Sequence, residues 1–250
     1  MTLNFPSHPD LPLENSPLKE VICQVKFPPL LEVAQTLPAD FQKHVREKFP
    51  QFELRQNVMV DVNQPLPSEY SFNSSNKKSR VALGVNFVAL TTEEYSHWSA
   101  FEEDLRTALD GLKKSYGTIS VTRIGLRYIN ELNSKSTQLN TLGEILGVVN
   151  SNVTHLALND IWSLPKRALE QVSLEDDENE LTIRFAFENS PNPVVLLDFD
   201  YFVAFDSPQT METGEILEKI NKFHKGCYDV FRWTIRDDKL VIFNPKKGSD

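Results

Sequence analysis

One stretch in mid-chain, Ile119 to Leu132 (ISVTRIGLRYINEL), constrains the fold more than any other. Its β-branched, aliphatic and aromatic residues read as a single long strand, whose side chains alternate between two faces. One face carries Thr122, Ile124, Leu126 and Tyr128, a set suited to cover by a helix. The other carries Val121, Arg123, Gly125, Arg127 and Ile129, with the glycine between two guanidinium groups. Glycine inside a strand marks close approach by a ligand or another backbone. Arginine offers a planar fork to carboxylates and phosphates, which makes this an anion-binding or partner-binding face. The plainer reading pairs both arginines with acids elsewhere in the sheet, because half-buried charges find partners.

The segments on either side follow one pattern. Val21, Cys23, Val25 and Phe27 alternate with Ile22, Gln24 and Lys26 until Pro28 and Pro29 stop the strand. A helix follows, with Pro38 in its first turn and Phe41, Val45 and Phe49 at spacing four. Strands are expected at 52–62, 69–74 and 79–91, the last with Gly84 and Asn86 on its polar face. If these strands are neighbours, Lys26, Asn86, Arg123 and Arg127 form one ligand-binding surface for an anion or a partner. Phe101, Leu105, Leu109, Leu112 and Tyr116 recur at helical spacing over 97–116, and Gly117 ends that helix.

Beyond Leu132 the series repeats. A short helix is expected at 141–150, with strands near 153–160 and at 168–176, 180–188 and 194–205. A long helix at 211–233 and a last strand, Lys239 to Phe243, complete it. The expectation is an α+β protein, mostly antiparallel sheet with long helices packed on one face. It would hold two pseudo-repeated helix–three strands–helix–strand units, 20–132 and 133–250, that share the strand at 119–132. Residues 1–19, rich in Pro, Asn and Ser, form an extended N-terminal arm.

Composition narrows the activities. The formal net charge of −9 is uneven: residues 1–135 hold 15 Lys+Arg against 16 Asp+Glu, and residues 136–250 hold 11 against 19. The acidic second part repels phosphate backbones, so non-specific nucleic-acid binding is not expected. No apolar run reaches membrane-spanning length and the start lacks a signal-peptide pattern, which points to a cytoplasmic protein without a membrane partner. Cys23 and Cys227 fall in apolar patterns and read as reduced core thiols.

Few residues carry chemistry. Asp198 and Asp200 lie on one face of the apolar strand VVLLDFDYFVAF, and two such carboxylates can share a divalent cation in a metal-dependent hydrolase or phosphoryl-transfer enzyme. The alternative is that they answer Arg184, or Arg123 and Arg127. The histidines, His8, His44, His97, His155 and His224, are scattered; His97 suits a helix cap, and His224 faces solvent by the helical period. The acidic run Glu175 to Glu180 reads as a hairpin turn, and Trp162 as packing or as an exposed partner anchor. No phosphate-cradling loop, nucleophile elbow or cofactor fingerprint occurs, so no cofactor is expected.

The segments PLKEVICQVKFPP (Pro17 to Pro29), RIGLRYINEL (Arg123 to Leu132) and LLDFD (Leu196 to Asp200) resemble the signature segments of an uncharacterised, sporadically distributed prokaryotic family of about 250 residues. Patchy distribution is typical of genes on mobile elements, including antiviral and toxin–antitoxin loci. A well-patterned fold without a catalytic motif and with an acidic second half points to a non-enzymatic protein-binding subunit, regulatory, antitoxin-like or sensory, and the resemblance adds a defence-type locus with a protein partner encoded in the same operon. A small-anion or nucleotide sensor using Arg123 and Arg127 is the second expectation, and the metal-dependent enzyme using Asp198 and Asp200 the third.

Overall fold

A computed structural model describes residues 3–56, 68–154, 164–189 and 191–246. His155, Trp162, most of the strand expected near 153–160 and the end of that expected at 52–62 lie outside the described residues. The fold is α+β. Its strands are β1 (Leu18–Lys26), β2 (Gln51–Gln56), β3 (Ser68–Asn73), β4 (Ser79–Gly84), β5 (Phe87–Thr92), β6 (Ser120–Leu132), β7 (Arg167–Asp176), β8 (Asn179–Glu188) and β9 (Val194–Thr210). They hydrogen-bond in the order β2-β3-β4-β5-β1-β6-β9-β8-β7. The helices are α1 (Leu31–Gln35), α2 (Ala39–Val45), α3 (Trp98–Tyr116), α4 (Ser134–Thr137), α5 (Leu142–Leu146), α6 (Ser151–Thr154) and α7 (Thr213–Thr234). No described helix is long and apolar enough to cross a membrane.

The chain divides into two compact units. One comprises Glu20–Leu126 and Phe202–Lys222; the other comprises Met1–Lys19, Arg127–Tyr201 and Phe223–Asp250.

In the first unit the antiparallel registers align apolar residues into rows. Phe52, Phe72, Val81, Leu90 and Cys23 stand opposite one another across β2, β3, β4, β5 and β1. Leu54, Tyr70, Leu83, Val88 and Val25 form the next row. Phe41 of α2 meets Phe72 at 5.4 Å between ring centroids. Phe101, Leu105, Leu109 and Leu112 of α3 are buried, each removal from water contributing about 1.5–3 kcal/mol. His97 caps α3 by accepting from the Ala100 amide at 3.2 Å, and Gly117 ends it at φ 78°.

The expected strand at 79–91 is instead a hairpin, β4 and β5, joined by Val85 and Asn86. The Phe87 ring folds over Gly84, filling the space a Cβ would need. The turn carbonyls of Asn86 and Val85 accept from the Phe27 and Leu30 amides at 3.0 and 2.8 Å.

In the second unit, β7 and β8 pair antiparallel without interruption from Arg167↔Glu188 to Asp176↔Asn179. The acidic run makes their two-residue turn, with Asp177 at φ 54°. Phe223 on α7 stacks on Tyr201 of β9 at 4.9 Å, and the Tyr201 ring fills the space beside Gly226. That places α7 on the sheet face bearing Leu197, Phe199 and Tyr201. The N-terminal arm lies along α7: the His8 amide donates to Asp229 at 3.0 Å, the Leu11 amide to the Tyr228 hydroxyl at 2.9 Å, and Phe5 packs edge-on to Trp233.

The last expected strand, Lys239 to Phe243, is a 3₁₀ helix over Asp237–Phe243. Spacing three puts Leu240 and Phe243 on one face. Phe243 is fully buried while Val241, which alternation would place beside it, is exposed.

Candidate functional site

The second unit carries a polar row across the sheet face opposite α7. Asp198 sits on β9, the strand between β6 and β8. Alternation turns it away from Leu197 and Phe199. Arg127 of β6 grips it as a fork: Nε donates to Oδ1 at 2.7 Å and Nη2 to Oδ2 at 2.6 Å. Arg184 of β8 approaches from the other side, Nη1 donating to Oδ2 at 3.2 Å. Its Nε donates to Oε1 of Gln171 at 2.9 Å, and Gln171 stands directly opposite Arg184 in the β7–β8 register. The row thus runs Arg127, Asp198, Arg184, Gln171 across four neighbouring strands.

Burial is unequal along it. The Asp198 side chain is 2% exposed, against 39% for Arg127 and 27% for Arg184. The carboxylate is desolvated and satisfied by planar donors, while both arginine side chains are part-exposed. Two guanidiniums share the Asp198 carboxylate, and Asp200 lies on the same face of β9. Thr182, Ala186, Gln171 and Leu169 share its face, and Leu169 is 72% exposed.

Behind the sheet, the Tyr128 hydroxyl and His224 Nδ1 of α7 lie 2.8 Å apart. A neutral imidazole meets that geometry by accepting the phenolic proton. Burial pulls the His224 pKa down to about 4, with Asp10 acting weakly against it. His224 therefore does not face solvent as the helical period suggests. The period locates a residue on the helix, and the long Tyr128 side chain reaches it from the sheet. Nearby, burial pushes the Tyr201 phenol up, aided by the Asp176 carboxylate that its hydroxyl meets. The Cys227 thiol is likewise raised by burial and then by Asp200 and Asp198.

Of the residues expected to form one surface, Lys26, Asn86 and Arg123 belong to the first unit and Arg127 to the second. Lys26 stands opposite Phe87 in the β1–β5 register, beside Asn86, and both are exposed. Arg123, in the first unit, lies with its guanidinium carbon 4.3 Å from the Phe202 ring centroid. It also opposes the burial that raises the Cys23 thiol. Arg127 belongs to the Asp198 row. The close approach marked by Gly125 is that of Arg123: a Cβ there would lie 2.5 Å from Nη1. Asp200 is half-buried on the Asp198 face. No group of three or more His, Cys, Asp or Glu able to hold a metal occurs among the described residues. Both Asp198 oxygens already accept from guanidiniums. Sequence reasoning weighed Arg184 as a partner for Asp198 but missed Gln171, whose only signal is its place opposite Arg184 across the predicted hairpin. No family model matches the chain, and no curated protein does.

Proposed function

We propose that the protein is a non-enzymatic binding module that receives an acidic segment of another protein, encoded beside it, on the Arg127–Asp198–Arg184 row. One observation carries this reading: two part-exposed arginine side chains are fixed on a single buried carboxylate. Both arginines stand on the sheet face opposite α7, in a chain whose net charge is −9. A carboxylate from outside meets donors that Asp198 already orients, so little side-chain entropy is lost on docking. Arginine is also among the residues enriched at protein interfaces. Tagged chain, purified from its native operon, is expected to retain a partner. Arg184→Gln is expected to weaken retention at unchanged circular dichroism. Recovery of the intact chain alone under gentle conditions removes the proposal.

The same pair of arginines favours a second reading, a small-anion or nucleotide sensor, with Arg127 joined by Arg184. Ligand binding raises apparent stability by mass action, about 2.7 kcal/mol at a hundredfold excess over Kd. A thermal shift with phosphate or nucleotides that Arg184→Gln abolishes would favour it over the protein partner.

A further inference from the structure

The β7 edge carries a second kind of recognition. Only one side of β7 is paired, with β8, and β7 ends the strand order among the described residues. Such edges are ordinarily blunted by proline, a bulge or a central lysine. Here ten residues, RALEQVSLED, run in continuous register with none of these, and Leu169 and Val172 are 72% and 53% exposed. We propose that two copies of the chain pair through β7, antiparallel, about a two-fold axis at Gln171.

Charge selects this partner and this register. The strand begins with Arg167, preceded by Lys166, and ends with Glu175 and Asp176, so it is basic at one end and acidic at the other. Such a strand is complementary to its own reverse. A two-fold perpendicular to the sheet keeps each face on its own side, so opposed residues must share a face and lie symmetrically about a central one. Centred on Gln171, Arg167 opposes Glu175 of the second copy at both ends, Leu169 opposes Ser173, and Ala168 opposes Leu174. Centring on Glu170 sets two carboxylates against each other at the axis. Centring on Gln171 also sets Glu170 against Val172, whereas centring on Val172 moves Glu175 opposite Leu169 and removes both Arg167–Glu175 pairs.

The polar row opposite α7 gives the same answer. Arg127, Asp198, Arg184 and Gln171 would continue into Gln171, Arg184, Asp198 and Arg127 of the second copy, amide meeting amide at the axis. Within one copy, Glu175 stands opposite Glu180 in the ladder, two carboxylates side by side. Arg167 arriving at the free edge of Glu175 offsets that repulsion.

The proposal stands apart from the partner-binding reading, because it is tested on the purified chain alone. Light scattering on a sizing column is expected to show a reversible monomer–dimer equilibrium. Arg167→Glu and Glu175→Arg, both on exposed side chains, are each expected to weaken dimerisation by about tenfold or more through two like-charge contacts per dimer. An equimolar mixture of the two variants is expected to dimerise again, since each then opposes the other's reversed charge. Gln171→Cys is expected to give a disulfide-linked dimer under mild oxidation, the native Cys23 and Cys227 being buried. A wild-type chain that is monomeric up to its solubility limit overturns the proposal. So does a dimer that neither charge reversal weakens, or variants that fail to recover on mixing.

Discussion

Arg123 and Arg127 leave the same face of the same strand and meet opposite chemistry. Arg127 forks onto Asp198, a carboxylate 2% exposed. The Arg123 guanidinium carbon lies 4.3 Å from the Phe202 ring centroid, and its head packs over Gly125. Asp198 and Phe202 are both on β9, four residues apart, as the arginines are on β6. The neighbouring strand therefore decides what each guanidinium becomes. A charge-assisted fork contributes about 1.5–3 kcal/mol, whereas an arginine on a ring at a part-exposed site contributes about 0.5–1 kcal/mol. Arg127 makes a two-point fork on a carboxylate, and Arg123 adds a contact with an aromatic ring.

The contrast breaks most visibly at Asp198. Asp198→Ala strands two guanidiniums over a desolvated position, and a loss of about 3 kcal/mol is expected, reduced from the fully buried case because both arginine side chains are part-exposed. Urea denaturation measures it. In that background Arg127→Ala should cost far less than in the wild type, since the two residues act as one unit. A loss below about 1 kcal/mol for Asp198→Ala would show that the row contributes little to the fold.

The helix-facing side of β6 sharpens the comparison through pH. Near Arg123 that side is apolar, with Ile124 and Leu126 fully buried. Near Arg127 it carries Tyr128, bonded to His224. The folded pKa of His224, about 4, lies below the ordinary value of 6.5. Between these values the unfolded chain binds more protons, so stability rises with pH across that window. It is complete above pH 6.5 and falls as the pH drops toward 4, by about 3 kcal/mol. His224→Gln should flatten that slope in urea titrations at pH 4.5, 5.5 and 7, whereas equal slopes would show that other groups set it.

Alternation alone located much of this. The faces of β6, the inward set Val21, Cys23 and Val25, the period of α3 and the Asp198–Arg184 pairing are all legible because strand and helix periods are local properties. What escaped was set by contacts distant in sequence or by ambiguous local signals. Val81 to Ala89 alternates smoothly through Val85 and Asn86, so periodicity cannot reveal the reversal there. Gly84 is the trace of it, needed because Phe87 folds back over its Cα. Lys239 to Phe243 is too short to separate period two from period three, and burial of Phe243 without Val241 decides it. His224 is bonded to a residue 96 positions away. Arg127 and Arg123 look equivalent in sequence because nothing on β6 says which of them will face Asp198.

Lysine distinguishes the two arginines on a finer scale. An ammonium cannot reproduce the fork on Asp198, so Arg127→Lys should cost about 1.5 kcal/mol. Arg123→Lys keeps a cation over Phe202 and should cost about 0.5 kcal/mol. Chemical denaturation of the two variants under identical buffer compares them directly. Equal losses would mean that charge alone, and not the planar fork, holds Arg127.

The smallest effect belongs to Gly125→Ala. A Cβ there meets Nη1, Cζ and Nη2 of Arg123 at 2.5–3.1 Å, all of them the far end of a flexible side chain. The guanidinium should shift and lose part of its contact with Phe202, about 0.5 kcal/mol. Replacing a strand glycine recovers a similar amount by restricting the unfolded chain. The two effects nearly cancel, and a net change within about 0.5 kcal/mol is expected. With Arg123→Ala already in place the cost disappears while the gain remains, so the same substitution should become stabilising. A loss above about 2 kcal/mol in either background would place backbone, rather than the Arg123 head, against Gly125.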